Sequence, residues 1–322
     1  MSVSPLRPAA GRLPWPLLFL YLAIALMLTQ MHAYEVNFGP KQEQREIRHN
    51  RILAGRGEAP WAHRVLMPAL AEAGARPLEA VLGRREAREG AYLALQFAAI
   101  FGFLAIFDRF QRTWLPPAWA VAGTLFAAAL HPITYRFYWY QPDSPTDLFA
   151  WALGGWLTVT GRDAWLLPLV ALATLNRETA VFIPVMYVAL RWNDPARDRM
   201  FLRAAGMFVC WLVPFLGIRS LVGERRWTVD IAEVMRDNLQ PSWILYAGAF
   251  LLPLVTLPWI GWSRRPPELR RLALALLATY LPLQFVFGRI REVRLLLPLA
   301  VALVPLAMLA LRDATDPPAE KG

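Results

Sequence analysis

The stretch His131–Thr179 reads HPITYRFYWYQPDSPTDLFAWALGGWLTVTGRDAWLLPLVALATLNRET, and it holds the features around which the rest of the chain is arranged. An aromatic and charged segment comes first, and Asp143 and Asp147 follow where an apolar helix begins. Two short apolar segments then flank the polar run Asn176–Thr179. Ionisable side chains are expensive to place beside or inside apolar spans, so these residues are functional candidates.

The composition of the whole chain indicates a membrane protein. It has 322 residues, of which 57% are hydrophobic, and its mean hydropathy is +0.34. The apolar residues recur in runs that approach the length of a membrane span, which excludes a soluble multi-domain protein. We expect an all-α membrane protein with a single membrane domain over residues 1–312 and a disordered cytoplasmic tail over 313–322.

The apolar runs predict about ten transmembrane or half-membrane helices. Several are shorter than the roughly 20 residues that a helix needs to cross the hydrocarbon. The shortest pair, 164–175 and 178–191, predicts either a half-membrane hairpin or two helices where the bilayer is locally thin. The predicted segments are 13–31, 91–107, 115–131, 145–160, 164–175, 178–191, 201–218, 243–261, 272–287 and 294–311.

The segment 32–90 is the largest predicted loop, and it contains amphipathic sequence. Residues 43–53 are typical of a charged surface helix, and residues 62–73 place apolar side chains on one face of a helix lying at the interface. We therefore expect interfacial helices in this first external loop.

Arginine-rich short loops indicate the cytoplasmic face of a membrane protein. An even number of segments puts both termini of this multi-pass protein in the cytoplasm. The opposite face is also basic, because Arg289, Arg291 and Arg294 lie in one short turn there. That face gathers most of the candidate functional residues, namely Glu35, His63, Arg64, His131, Asp143, Asp147, Arg177, Glu178, Glu224, Asp230, Arg289, Arg291 and Glu292.

Several function classes lack support in the sequence. The net charge of +10 comes almost entirely from arginine, but no basic soluble module exists that would bind nucleic acid. Cys210 is the single cysteine, and the four histidines lack metal-ligand spacing, so no metal or cofactor is predicted and a divalent metal has no support. Phosphate-binding glycine loops, dinucleotide fingerprints and zinc-hydrolase motifs are also missing from the sequence.

The acidic candidates each have a functional and a structural interpretation. Glu35 directly follows the first span, where it could act as a general base or simply be a solvated glutamate. Asp143 and Asp147 share a helix face, and capping by Ser144 together with the helix dipole would explain one of them. With Tyr138 they equally fit the rim of a carbohydrate or metal site, although aromatic rings also belong at membrane interfaces.

The basic candidates also carry two interpretations. Arg177 beside Glu178 suits a phosphate group, or the two form an ion pair that fixes the turn between the short segments. Arg289, Arg291 and Glu292 open the last span, where they suit an anionic lipid head group or anchor the helix at the interface. Arg64 and His131 complete the set of substrate-binding candidates on the same face.

This pattern resembles the GT-C class of integral-membrane glycosyltransferases, and also related uncharacterised multi-pass proteins of bacteria. The segments 59–70 (APWAHRVLMPAL), 176–184 (NRETAVFIP) and 291–299 (REVRLLLPL) carry the resemblance, together with the acid-bearing first loop. Members of that class usually have an Asp, or an acidic pair, early in the first external loop. Glu35 is the nearest match here, and the loop 32–90 contains no Asp.

The resemblance implies a multi-pass glycosyltransferase of the bacterial inner (plasma) membrane. It would take a sugar from a polyprenyl-phosphate donor and pass it to a lipid or envelope glycan at the non-cytoplasmic face. Glu35 would be the general base, with Asp143 or Asp147 assisting. The donor phosphate would be held by Arg177, Arg289 and Arg291. The partners would be this anionic lipid and the membrane lipids, without nucleic acid. Two alternatives stay open, namely a lipid or solute transporter or flippase, and a non-catalytic partner subunit.

Overall fold

The computed structural model describes residues 13–36, 40–135, 142–223, 225 and 230–315. Over these residues the chain is all-helical, with 85% helix and no strand, which confirms the predicted fold class at this level. The helices are α1 Trp15–Val36, α2 Pro40–Leu53, α3 Leu66–Ala75, α4 Glu79–Leu82, α5 Arg84–Gln111, α6 Pro117–Thr134, α7 Asp143–Val159, α8 Leu166–Asn176, α9 Phe182–Arg191, α10 Arg197–Val222, α11 Ile231–Asn238, α12 Pro241–Trp259, α13 Pro267–Phe287 and α14 Ala300–Thr315.

By length and composition, six helical segments of the described chain are long and apolar enough to cross a membrane. They are Trp15–Glu35, Arg84–Gln111, Arg197–Val222, Pro241–Trp259, Pro267–Phe287 and Val293–Thr315. The protein is therefore compatible with a membrane-embedded fold, but the predicted count of about ten spans is not confirmed.

The shortfall in the span count lies between α6 and α9. Each predicted hydrophobic segment overlaps a helix, yet α8 and α9 have only 11 and 10 residues. At about 1.5 Å per residue such helices extend roughly 16 Å, about half of the hydrocarbon thickness. The polar run between them therefore lies at the end of two short helices.

Helix α14 forms the centre of the bundle. Every residue from 300 to 310 is buried, and α14 packs against α6, α7, α12 and α13. A segment that is apolar on all sides can be enclosed by other helices in this way, because every face of it gains free energy on leaving water. Helix α10 is the opposite case, because only 6% of its apolar stretch is buried in the chain.

Helices α2, α3 and α4 form a cap over the first turns of α5. Helix α1 runs to Val36 and α5 already begins at Arg84, so the connection between these two helices is shorter than the predicted loop 32–90. Polar turns extend α1 at its end and α5 at its start, beyond the apolar run of each helix. The predicted loop is too long because only the apolar runs were counted as helix. A left-handed glycine, Gly83 at φ +82°, turns the chain from α4 into α5.

A buried polar network joins α2 and α3 to α5. The His49 Nδ1 atom lies 2.7 Å from the Tyr92 hydroxyl, and its Nε2 lies 3.2 Å from the Glu72 carboxylate. Arg88 also donates to Glu72, at 2.9 Å. Burial lowers the pKa of His49, and Arg88 adds to this effect, although Glu72 opposes it. The neutral ring satisfies both neighbours, since Nε2–H donates to the carboxylate and Nδ1 accepts from the tyrosine hydroxyl.

The last helix continues past the predicted end of the membrane domain. Helix α14 reaches Thr315, and the Arg265 side chain donates to the Leu309 carbonyl at 3.1 Å and also bonds Asp313. These contacts hold the first three residues of the predicted tail in helical form. The remainder of that tail, 316–322, lies outside the described residues.

Candidate functional site

Three carboxylates and three arginines meet where α7, α8 and α10 approach the 3-10 turn Trp61–His63. We call this group the ionic cluster, and it consists of Arg64, Asp143, Asp147, Arg177, Glu178 and Arg219. Its members come from four separate parts of the chain, and five of the six are residues that the sequence placed at one membrane face.

The short helices α7 and α8 bring the two acids of α7 to the polar run. Helix α7 begins at Asp143, so Ser144 is not the cap that the sequence predicts. Helix α8 ends at Asn176, whose side-chain amide donates to the Asp143 carbonyl at 2.8 Å. Arg177 then takes an extended backbone conformation, with φ −155° and ψ 144°. This break in the helix directs the chain across the start of α7.

The inner half of the ionic cluster is closed to solvent. The Arg177 guanidinium lies 3.7 Å from the Asp147 carboxylate and donates to the Ser144 hydroxyl at 3.3 Å. The Thr179 hydroxyl bonds the same carboxylate, at 2.9 and 3.0 Å from its two oxygens. The side chains of Arg177 and Asp147 are only 3% and 1% exposed, so this pair is a fixed charge pair without access to a substrate.

The outer half of the ionic cluster is partly open. Arg64 bridges Asp143 and Glu178, with nitrogen–oxygen distances of 3.2 Å to each. Arg219 approaches Glu178 at 3.7 Å, and the Trp211 indole nitrogen donates to the Glu178 carbonyl at 3.0 Å. Glu178 and Arg219 keep 24% and 26% of their side-chain surface exposed, which leaves them within reach of a ligand.

His63 lies beside this outer half, at the end of the 3-10 turn that packs against α10. The residue is buried, and neither ring nitrogen has a hydrogen-bond partner among the described residues. Burial lowers the pKa of His63, and the positive charge of Arg219 lowers it further, while Glu178 raises it. The ring is therefore neutral near pH 7, with one nitrogen as donor and the other as acceptor.

Glu35 lies outside the ionic cluster, on the wall of an open pocket of about 590 Å³. Its side chain is 47% exposed and pairs with Lys41 at 3.3 Å. Tyr135 lines the same pocket and contacts the His32 ring, with 5.3 Å between the ring centroids. The pocket is lined by Gln30, Met31, Tyr34, Glu35, Lys41, Pro132 and Tyr135.

The basic turn before the last span forms a second group of charges with α11. Arg289 bonds Glu233 at 2.8 Å, and Arg291 lies 3.6 Å from Asp237. Glu292 pairs with Arg294 at 2.6 Å. The structure thus pairs the two arginines that were predicted to hold a donor phosphate with acids of α11, whereas Arg177 belongs to the ionic cluster.

Two further candidates occupy different surroundings. His131 is buried in the helical bundle, with its ring centroid 5.8 Å from that of Phe103. Tyr138, which the sequence placed at the rim of the site, lies outside the described residues.

Sequence reasoning missed Arg219 as a member of the site, together with the hydroxyl and amide side chains that orient the ionic cluster. Arg219 lies in the last turn of α10, at the end of a long apolar segment. An arginine at the end of an apolar segment could have been recognised in the sequence as a candidate. Its pairing with Glu178, 41 positions earlier, could not, because it depends on the packing of α8 against α10.

Comparisons of the chain with protein-family models, with curated proteins and with solved structures find no match. Within the described residues no three side chains of His, Cys, Asp or Glu are grouped so that they could hold a metal ion.

Proposed function

We propose that this protein is a membrane glycosyltransferase that moves a sugar from a polyprenyl-phosphate donor to a lipid or envelope glycan. The reaction would take place at the non-cytoplasmic face of a bacterial inner membrane, with both termini in the cytoplasm. The ionic cluster carries the proposal, because it joins arginines and carboxylates at one end of short apolar helices.

The arginines of the outer half fit the needs of a departing phosphate. In glycosyl transfer an acceptor hydroxyl oxygen bonds the anomeric carbon while the bond from that carbon to the phosphate oxygen breaks. The electron pair of the broken bond stays on the phosphate, whose negative charge grows. Guanidinium groups fixed in a partly buried site stabilise such charge better than water does.

The unburied apolar surface of helix α10 favours the proposal that the substrate is a lipid. Its apolar side chains are largely unburied, and the helix ends in the turn that carries Arg219. An isoprenoid chain lying along this surface would bring its phosphate to the ionic cluster from the membrane side. A water-soluble substrate would have no use for such a path.

The candidate carboxylates differ in whether a substrate can reach them. Asp147 is fully enclosed and engaged by Thr179 and Arg177, so its proposed role is to hold Arg177 in position. A general base must reach the acceptor hydroxyl. Glu35 meets this requirement best, since it is half-exposed in the open pocket. It would take the proton that the hydroxyl loses on attack.

The test is a transfer assay with purified protein in detergent, a panel of radiolabelled polyprenyl-phosphate sugars and a lipid extract as acceptor. We expect a radiolabelled glycolipid, and we expect Glu35→Gln to lower its rate at least ~100-fold, the range of general-base catalysis. Lys41→Gln is the matched control, because it removes the partner of Glu35 but no acid.

A transport assay with the protein in proteoliposomes, run beside the transfer assay, separates the alternatives. Movement of labelled lipid across proteoliposomes without any covalent product would favour a transporter or flippase. Absence of both activities, with Glu35, Asp143 and Arg177 each replaceable by Ala at no cost beyond stability, would favour a partner subunit. Transfer by Glu35→Gln at the wild-type rate would refute the assignment of Glu35 as the base.

A further inference from the structure

His63 is a buried side chain whose hydrogen-bonding capacity the rest of the described chain does not use. It is 8% exposed, and both ring nitrogens are shielded from solvent and have no partner among the described residues. Leaving a buried polar group unsatisfied costs roughly 1–3 kcal/mol, so such groups usually face a ligand or water. The position of His63 then decides which ligand it would meet.

The charges around the His63 ring are mostly positive. Its chain neighbour Arg64 and the α10 residue Arg219 both reach Glu178, at 3.2 and 3.7 Å. Arg225 lies near the same ring and donates to the Gly55 carbonyl. Three guanidinium groups therefore lie around two carboxylates, Asp143 and Glu178, and one neutral imidazole, and the positive charge that remains favours an anion at this point.

We infer that His63, Arg64 and Arg219 form a binding site for a phosphate oxyanion. The imidazole N–H and the exposed edge of the Arg219 guanidinium supply donors to its oxygens, and Arg64 adds positive charge. The second ring nitrogen accepts from a hydroxyl, which a phosphomonoester or an attached sugar provides. Phosphate suits this set better than a carboxylate, because its oxygens diverge toward donors on separate elements, the 3-10 turn and α10.

This inference deepens the proposed function and rests on it for the choice of a lipid phosphate as the natural ligand. It places the phosphate at the junction of the first loop and α10, and not at the basic turn that holds Arg289 and Arg291. Both of those arginines already have acid partners on α11. The binding site itself follows from the unpartnered His63 ring and the partly exposed Arg219 guanidinium, so its test requires no sugar transfer.

The test measures binding without transfer. Wild-type protein in nanodiscs of phosphatidylcholine is titrated with farnesyl phosphate and, separately, with inorganic phosphate, and binding is followed by isothermal calorimetry. We expect His63→Leu and Arg219→Gln each to weaken binding at least ~10-fold, the value of one charge-assisted hydrogen bond. Arg289→Gln is the matched control and should bind as the wild type does.

The two ligands distinguish the sources of the phosphate. Histidine-dependent binding of farnesyl phosphate alone supports a lipid substrate, and binding of both ligands supports an oxyanion site that takes a lipid or a free phosphate. Binding of inorganic phosphate alone also supports the site but assigns it a water-soluble ligand, which would count against the proposed function. The inference is overturned if the wild type binds neither ligand or if His63→Leu and Arg219→Gln bind like the wild type.

Nitrogen-15 labelling of histidine supplies a second measurement that does not depend on how well a variant folds. The chain has four histidines, so the ring signals are few, and Arg219→Gln changes none of the four. One histidine signal should shift on addition of farnesyl phosphate to the wild type, and the same signal should be absent from His63→Gln. Unchanged histidine signals at saturating ligand would overturn the assignment of His63.

Discussion

Removal of Arg177 would leave one of the most enclosed charges of the protein without its counter-ion. The Asp147 carboxylate is 1% exposed and would keep only the Thr179 hydroxyl as a partner. An uncompensated buried charge of this kind costs about 3–5 kcal/mol. We therefore expect Arg177→Met to lower the melting temperature by roughly 6–20 °C, at about 2–4 °C per kcal/mol. Asp147→Leu should be similarly destabilising, because it leaves the guanidinium unpaired.

The double variant Arg177→Met/Asp147→Leu decides whether the two side chains act as a pair. Removing both charges leaves only the Thr179 hydroxyl and the Ser144 hydroxyl short of a partner, which costs about 1–3 kcal/mol for each. We expect a loss well below the sum of the two single variants. The assay is thermal unfolding in detergent, followed by the fluorescence of the 14 tryptophans.

A more exposed pair provides the control for this cycle. Arg289 and Glu233 are 24% and 59% exposed, so Arg289→Met and Glu233→Leu should each cost about 1 kcal/mol or less. The reasoning fails if the Arg177 and Asp147 variants are additive, or if Arg177→Met is no more destabilising than Arg289→Met.

Three further predictions concern packing and pH. Burial lowers the pKa of His49, so the unfolded state binds more protons than the folded state at pH values below about 6.5. The free energy of unfolding should therefore fall as the pH decreases through about 6.5. Between pH 5 and 8, the melting temperature of His49→Gln should change less steeply with pH than that of the wild type. Gly154→Ala places a methyl group 2.9 Å from the buried Ile183 and should lower the free energy of unfolding by about 1–3 kcal/mol. Gly90→Ala meets open space and should leave this free energy unchanged or raise it. Equal melting temperatures of the two variants would contradict this prediction. Asn238→Ala removes hydrogen bonds to the Phe285 and Gly288 carbonyls and from the Ile290 amide, so hydrogen exchange in the turn 288–292 should accelerate at least ~10-fold, and unchanged exchange would show that Asn238 does not hold this turn.

The acid in the pocket of Glu35 is less constrained than the accessible acids of the ionic cluster. Asp143 and Glu178 are held by Arg64, whereas Glu35 is paired only loosely with Lys41. Glycosyl transfer needs fixed phosphate donors and an acid that reaches the acceptor hydroxyl, because this hydroxyl loses its proton as it attacks the carbon that carries the departing phosphate. The transfer and binding assays address these two parts independently.

Much of the fold could be predicted because a run of hydrophobic residues indicates that the segment is shielded from water. The ten predicted segments all overlap helices, and the amphipathic sequence between α1 and α5 forms surface helices over α5. The number of spans could not be predicted in the same way. Helix α9 is apolar because most of its residues are buried against other helices, and burial in protein gives the same composition as burial in lipid.

The amino-acid sequence by itself determined that the chain is helical and apolar, and it marked the acids and arginines that had to find partners. Only the tertiary structure decided the pairing: Arg177 with Asp147, Glu178 between Arg64 and Arg219, and Arg289 with α11 rather than with the ionic cluster. The physical reason is distance along the chain. Helix periodicity fixes neighbours three or four positions apart, whereas these charges meet across tens of residues through the packing of helices.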